Sequence, residues 1–462
     1  MKRLLRRTAA AYLLLIAFIV GLGFFLVSYA RDGASWALHQ ANRHIYDAGR
    51  LVTTGAITDR SGEVLAQSVD GKRVYHENKT TRRSLLHLIG DTEGFINNSV
   101  QKIYGARLAG YGPLSGVHSL KEFGRTGTVQ LTVSASVCRT ALEQLGSRKG
   151  AVSIYNYKTG EVLCMVSTPT FDPENKPDVD LTEDKYDGIY VNRVLRGLYP
   201  PGSTFKLVVA AAALEHIDGI QSREFTCTGK YTASDGEIIC NGTHGTLGFE
   251  EALAQSCNSV FSQIAIELGP EILTAQAEKM GFNQTRSADG FSYSGGQFHV
   301  ENAGESDLGW AGIGQYNDMA NPFTMMTIAG GIAAGGNAVT PRLIQASKSP
   351  AGLPTTVKLW TSSRRIMEAD TAAILTDAMK DAAAHSFGSG FLSDYGLRCK
   401  TGTAEVQTGD APHSWLVGFL EDETAPLAFA IVVENGGSAA STTRSIAQKV
   451  LPAAAELLRK GA

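Results

Sequence analysis

The feature that most limits what this chain can become is an uncharged run from Thr8 to Ala30, 23 residues preceded by Lys2, Arg3, Arg6 and Arg7. A helix of that length crosses the roughly 30 Å hydrocarbon core of a bilayer with some tilt. Basic flanks stay on the cytoplasmic side. Residues 1–31 are therefore read as a cytoplasmic tail plus one anchor, with everything after Arg31 outside. Ser28-Tyr29-Ala30 also offers small residues for cleavage of a signal peptide, but such signals carry an apolar core of only about 7–15 residues. No later segment is long and apolar enough to span. The expected location is the cytoplasmic membrane, single-pass, with an extracytoplasmic body.

That body has globular composition. At about 150 residues per domain, 462 residues suggest roughly three units, with 43% hydrophobic and 19% charged residues. Lys and Arg total 42 against 45 Asp and Glu, so no basic surplus exists for nucleic acid. Six Cys are too few for a disulfide-built scaffold, and no C-x-x-C pair is present. Cys227 and Cys240 share one loop-like stretch on the expected oxidising side. Either a disulfide closing a hairpin or two buried thiols fits them. Cys138, Cys164, Cys257 and Cys399 read as core residues. No His/Cys/Asp cluster with metal spacing is recognised, so no metal is expected.

Residues 32–147 form a mixed segment, expected to be a small membrane-proximal pedestal. LVTTGAITDRSGEVLAQS reads as strand, turn at Arg60-Ser61-Gly62, strand. SLLHLIG and TVSASVCRTALEQLG are short helical or strand pieces. From 148 to 462 the pattern is richer. GAVSIYNY and EVLCMVST flank Lys158-Thr159-Gly160 as a hairpin. The Ala- and Leu-rich stretch after Gly202 predicts a helix. FEEALAQSCNSVFSQIAIEL predicts two helical pieces meeting near Ser256. LRCKTGTAEV, SWLVGFLED and PLAFAIVVENGG predict three successive strands. Ile446, Val450, Ala453 or Ala454, and Leu457 recur at helical spacing. Strands at both ends with helices between predict an α+β domain, a mainly antiparallel sheet flanked by helices.

Three short motifs carry chemistry. Ser203-x-x-Lys206 opens the predicted helix, where positions i and i+3 share a face. A serine hydroxyl is a weak nucleophile until a base takes its proton. Lysine is such a base only if burial or a second cation lowers its pKa. Ser256-Cys257-Asn258 begins 53 residues on; its hydroxyl can relay a proton, and its amide can both donate and accept. Lys400-Thr401-Gly402-Thr403 lies on a predicted strand, with Lys400 and Gly402 on one face and Thr401 and Thr403 on the other. Gly402 is expected to let a substrate backbone approach, and the strand to pair with an extended peptide. Thr401, Thr403 and the Lys400 cation suit a terminal carboxylate, and Lys400 also helps keep Lys206 neutral.

Each motif alone is weak. Ser99-Val100-Gln101-Lys102 repeats the first spacing and Lys158-Thr159-Gly160 the third. The former reads as chance and the latter as a turn. The ordered set, each in its expected context of helix start, helix junction and strand, carries the argument.

With these motifs on the page, the sequence resembles the class B penicillin-binding proteins, the monofunctional D,D-transpeptidases of peptidoglycan synthesis. YPPGSTFK, HGTLGFEEALAQSCNSVF, HSWLVGF and the pedestal stretch TGAITDRSGEVLA share in the likeness. It covers nearly the whole chain. It implies a penicillin-binding/serine β-lactamase-like transpeptidase domain, a small N-terminal pedestal domain and one N-terminal transmembrane helix. It also implies that Ser203 attacks the D-Ala-D-Ala carbonyl of a stem peptide and Lys206 takes its proton. Backbone N–H groups of Ser203 and Thr403 would form the oxyanion hole. Ser256 would pass a proton to the leaving D-alanine, Asn258 and Thr403 would position the peptide, and Lys400 would shape the field. Peptidoglycan stem peptides, β-lactams and a membrane-embedded polytopic glycan polymerase are the implied partners, with no cofactor. No repeated wall-binding modules are expected after the final helix. Thr54 and Ser61 depart from the usual pedestal residues Arg and Asn, and LTVSASV departs from Leu-Thr-Ile-Asp. His244 and His413 read as structural hydrogen-bonders, and Trp310 and Trp415 as packing residues. His39 and His44 read as solvated juxtamembrane residues. Asp172 and Glu174 belong to a loop that lines the cleft in this reading, without an assigned role.

Overall fold

The computed structural model describes residues 2–39, 41–42, 45–47, 50–51, 54–112, 126–356, 361–406 and 409–461. His44 lies outside them, while His39 is exposed. Helix α1 (Lys2–Ala37) contains the apolar run. Among the described residues it alone is long and apolar enough to cross a bilayer, and none of its most apolar stretch is buried against the body.

After a short antiparallel pair, Tyr46–Asp47 with Arg50–Leu51, the segment expected to be a pedestal carries β1 (Ile57–Thr58), β2 (Val64–Val69) and β3 (Lys72–Tyr75), paired antiparallel, and β4 (Thr128–Leu131), parallel to β1. The turn at Arg60-Ser61-Gly62 forms because Asp59 Oδ1 accepts from the Ser61 amide (2.8 Å), the Ser61 hydroxyl (2.6 Å) and the Glu63 amide (3.1 Å). Ser61 thus closes the turn with its short hydroxyl. SLLHLIG is helical, split between Lys79–Ser84 and Leu86–Ile89. Helix α2 (Ala135–Leu145) is capped by Ser134, whose hydroxyl accepts from the Val137 amide.

The main sheet starts with β5 (Gly150–Asn156) and β6 (Val162–Thr168). Asn156 Oδ1 accepts from the Lys158 and Thr159 amides, which makes Lys158-Thr159-Gly160 a hairpin turn. Next come α3 (Lys206–His216), the strand pairs β7 (Glu224–Cys227) with β10 (Gly245–Gly248) and β8 (Lys230–Thr232) with β9 (Glu237–Ile239), and helices α4 (Phe249–Ala254), α5 (Asn258–Met280) and α6 (Pro322–Ala333). Strand β11 (Ile344–Lys348) leaves this region and pairs with β4, so the pedestal sheet runs β11-β4-β1-β2-β3. After α7 (Ala369–Phe387) follow β12 (Leu397–Ala404), β13 (His413–Leu420), β14 (Leu427–Val433) and α8 (Ala439–Arg459). The five-stranded main sheet has the order β12-β13-β14-β5-β6 and is antiparallel throughout.

Every residue of β5, β6 and β14 is buried, which is what a sheet covered on both faces requires. Helices α2 and α8 pack together on one face, and α6, α7 and α3 on the other. Asp172 and Glu174 do not line the catalytic cleft. Arg82 donates to Asp172 from Nε (2.6 Å) and Nη2 (2.7 Å), a buried bidentate pair, and Glu174 accepts from the Tyr75 amide (3.0 Å). The loop after β6 is thereby locked to the pedestal. Hydrogen bonds from the Arg82 guanidinium hold the Asp172 carboxyl at about 2.

Candidate active site

Pro200-Pro201-Gly202 turns the chain into a single 3-10 turn, Gly202–Thr204, that runs into α3. Gly202 has φ +52°, and a methyl group there would sit 2.8 Å from Thr403 O. Glycine is required on both counts. A 3-10 turn stacks residues three apart, so Ser203 and Lys206 face the same way. Lys206 Nζ lies 3.1 Å from Ser203 Oγ.

Ser256 occupies the two-helix junction with φ +59°, a left-handed backbone rarely held by a non-glycine residue. That corner points its carbonyl and hydroxyl at the same amine. Lys206 Nζ is 2.6 Å from Ser256 O, 3.2 Å from Ser256 Oγ and 2.7 Å from Asn258 Oδ1. Asn258 Nδ2 donates to Ile239 O, which fixes the orientation of the amide. From β12, Lys400 Nζ donates to Ser256 Oγ (2.9 Å) and to Thr401 O (3.1 Å). The three motifs therefore meet around one amine.

Both lysines are buried, Lys206 at 0% exposure and Lys400 at 1%. Burial, and next the charge of Lys400, push Lys206 well below the ordinary lysine value. Burial alone pushes Lys400 down to about 8. Among the described residues, no carboxylate hydrogen-bonds either amine to offset this. A neutral Lys206 has two hydrogens and one lone pair. Ser256 O and Asn258 Oδ1 are its shortest neighbours and act as acceptors, so they take the hydrogens. The lone pair is left for the Ser203 hydroxyl.

Ser203, Ser256, Asn258, Thr401 and Thr403 line a cleft of about 610 Å³. β12 is the outer strand of the main sheet, so its free edge faces this cleft. Thr401 Oγ1 is 3.2 Å from Ser386 Oγ on α7. Gly402 serves a different purpose from the one expected. A methyl group there would meet Pro201 O at 2.7 Å, so the glycine admits the Ser203 turn, not a substrate backbone. Trp310 is not simply a packing residue, because it lines the cleft with Ile239, Cys240 and Gln315. Trp415 does pack, fully buried, with Nε1 donating to Pro200 O. His413 accepts from the Asn435 amide.

Cys227 and Cys240 are buried free thiols, the second of the two readings left open for them, and the other four cysteines are free as well. Two other expectations about cysteine are corrected. Cys257 is not merely a core residue, and a potential metal cluster exists. Cys227, Cys240, His244 and Cys257 place their ligand atoms within 4.8 Å of one another. The spacing C-x-x-C was absent, but Cys240-x-x-x-His244 was a visible signal of the same kind.

Comparison with known proteins adds lineage. The family model described as the penicillin-binding protein transpeptidase domain matches residues 150–455. The peptidoglycan D,D-transpeptidase PbpA of Mycolicibacterium smegmatis is 28% identical, over 95% of each chain. Penicillin-binding protein A of M. tuberculosis, solved as a ceftriaxone acyl-enzyme, superposes with TM-score 0.77 at 25% identity, covering 87% of this chain and 98% of that one. The D,D-transpeptidase domain of a peptidoglycan glycosyltransferase from Eggerthella lenta gives TM-score 0.76 at 25% identity, covering 88% and 99%.

Proposed function

The chain belongs to the penicillin-binding protein transpeptidase family, and from that premise we propose that it is a class B peptidoglycan D,D-transpeptidase working through Ser203. Lys206 takes the Ser203 proton as the hydroxyl oxygen attacks the carbonyl between the two terminal D-alanines of a donor stem peptide. The backbone N–H groups of Ser203 and Thr403 receive the oxyanion; the contact between the Gly202 turn and Thr403 O supports that pairing. The C–N bond breaks, and Ser256 hands its proton to the departing D-alanine amine while taking from Lys206, 3.2 Å away, the proton that came from Ser203, which returns Lys206 to its neutral form. Lys400 donates to Ser256 Oγ, which leaves the serine's own hydrogen available for that transfer. Asn258, Thr401 and Thr403 hold the peptide along the β12 edge, and Gly402 lets the Ser203 turn lie against that strand. An amine of a second stem peptide then attacks the acyl-Ser203 carbonyl and forms the cross-link. β-Lactams present the same carbonyl and acylate Ser203.

The observation that carries this reading is one buried amine, at 0% exposure, 3.1 Å from a serine oxygen and sharing Ser256 with a second buried amine. We place the anchor at residues 1–31, the pedestal at 32–147 and the transpeptidase domain at 148–462. Lys2, Arg3, Arg6 and Arg7 support a cytoplasmic N-terminus and an extracytoplasmic body. A polytopic glycan polymerase would meet the anchor and pedestal. The test is product analysis with a D-Ala-D-Ala stem peptide, with and without an acceptor amine. Cross-linked product and released D-alanine are expected. Release into water alone would mark a carboxypeptidase, and rapid repeated penicillin hydrolysis a β-lactamase. Failure to acylate would leave a scaffold.

A further inference from the structure

We propose that Cys227, Cys240, His244 and Cys257 bind one structural Zn²⁺ that anchors the second catalytic motif. The four ligands come from three separate pieces of chain: the end of β7, the segment between β9 and β10, and the residue just before α5. All four ligand atoms lie within 4.8 Å of one another, and three of the separations match a tetrahedron. With Zn–S near 2.3 Å and Zn–N near 2.05 Å, tetrahedral angles separate two sulfurs by about 3.8 Å and sulfur from nitrogen by about 3.5 Å. Cys240 Sγ is 3.8 Å from Cys257 Sγ, and His244 Nδ1 is 3.4 Å from Cys227 Sγ and 3.5 Å from Cys240 Sγ. Thiols packed only as apolar filler have no reason to converge on one imidazole nitrogen.

The surroundings fit bound thiolates. The Asn258 amide donates to Cys240 Sγ at 3.2 Å, and Ser259 Oγ lies 3.5 Å from Cys227 Sγ. Such outer contacts orient metal ligands. Three sulfurs and one imidazole select a soft, tetrahedral d¹⁰ ion, and four protein ligands leave no open position. The ion is therefore structural. Its leverage on the chemistry is through the chain: Cys257 sits between Ser256 and Asn258, both of which contact Lys206 Nζ. The same ion ties down Cys240 on the wall of the catalytic cleft.

The metal site stands on its own geometry; its influence on acylation rests on the transpeptidase reading. The test uses the full chain, extracted in detergent and purified without chelator. About one zinc per chain by elemental analysis is expected, with tetrahedral Co(II)–thiolate absorption in the visible after exchange with cobalt. Cys227→Ser and His244→Ala should each lower zinc affinity about tenfold or more. Stripping zinc from the wild type should slow fluorescent-penicillin labelling about tenfold, with recovery on adding zinc chloride. Protein that takes up no zinc from one equivalent, or a disulfide among these cysteines in the non-reduced mass spectrum, overturns the site. Unchanged labelling after zinc removal overturns the anchoring role. Zinc bound without any labelling would sink the transpeptidase reading and leave the metal site standing; full labelling without zinc uptake would do the reverse.

Discussion

Ser99-Val100-Gln101-Lys102 and Ser203-Thr204-Phe205-Lys206 share one spacing of hydroxyl and amine, and each opens a helical turn. Their surroundings differ in every respect that matters for chemistry. Ser99 is buried with its hydroxyl donating to Ile96 O, and Lys102 points to solvent. Ser203 lines the cleft, and Lys206 is sealed beneath it against a second buried lysine. Spacing brings a base near an alcohol, but desolvation and a neighbouring cation are what strip the base of its proton.

The sharpest way to break this contrast is to remove the hydroxyls in turn. Ser203→Ala should abolish covalent labelling by a fluorescent penicillin, whereas Ser99→Ala should label fully. Label on the first variant would end the assignment. Next in size, Lys206→Ala should slow acylation by about 10²–10⁴, measured by stopped-flow or timed gel labelling, while Lys102→Ala changes nothing.

Lys400→Met sharpens the electrostatic part. Only neutral Lys206 accepts the proton, so the acylation rate falls as pH drops through its pKa. Removing the neighbouring ammonium raises that pKa, so the acid limb of the pH–rate profile should move to higher pH. In the wild type an alkaline limb near pH 8 should reflect loss of the Lys400 proton, and the variant should lack it. The smallest effect concerns the glycine. Gly402→Ala puts a methyl group against Pro201 O and should cost about 1–3 kcal/mol, read as a lowered Tm with slower labelling.

The two regions also show what a sequence reveals. The three motifs, the helix junction at Ser256 and the three closing strands were legible because each rests on a local pattern: alternation, helical spacing or turn chemistry. What lay hidden depended on partners distant in the chain. Alternation placed Gly402 on a face but did not say that the Ser203 turn occupies it. Arg82 and Asp172 are 90 residues apart, and β11 crosses into the pedestal sheet with no local mark of doing so. The Cys3His cluster draws on residues 227 to 257, and only the folded chain brings their ligand atoms within 4.8 Å of one another.

The central claim is that Lys206 is an unprotonated amine at neutral pH. The rate of Ser203 acylation by a penicillin, followed across the pH range, tests it most directly. The account predicts a rate that stops rising far below pH 10.5, the ordinary lysine value, and then falls along the alkaline limb set by Lys400. A rate still climbing about tenfold per pH unit toward that value would show an ordinary ammonium beside the serine and contradict it.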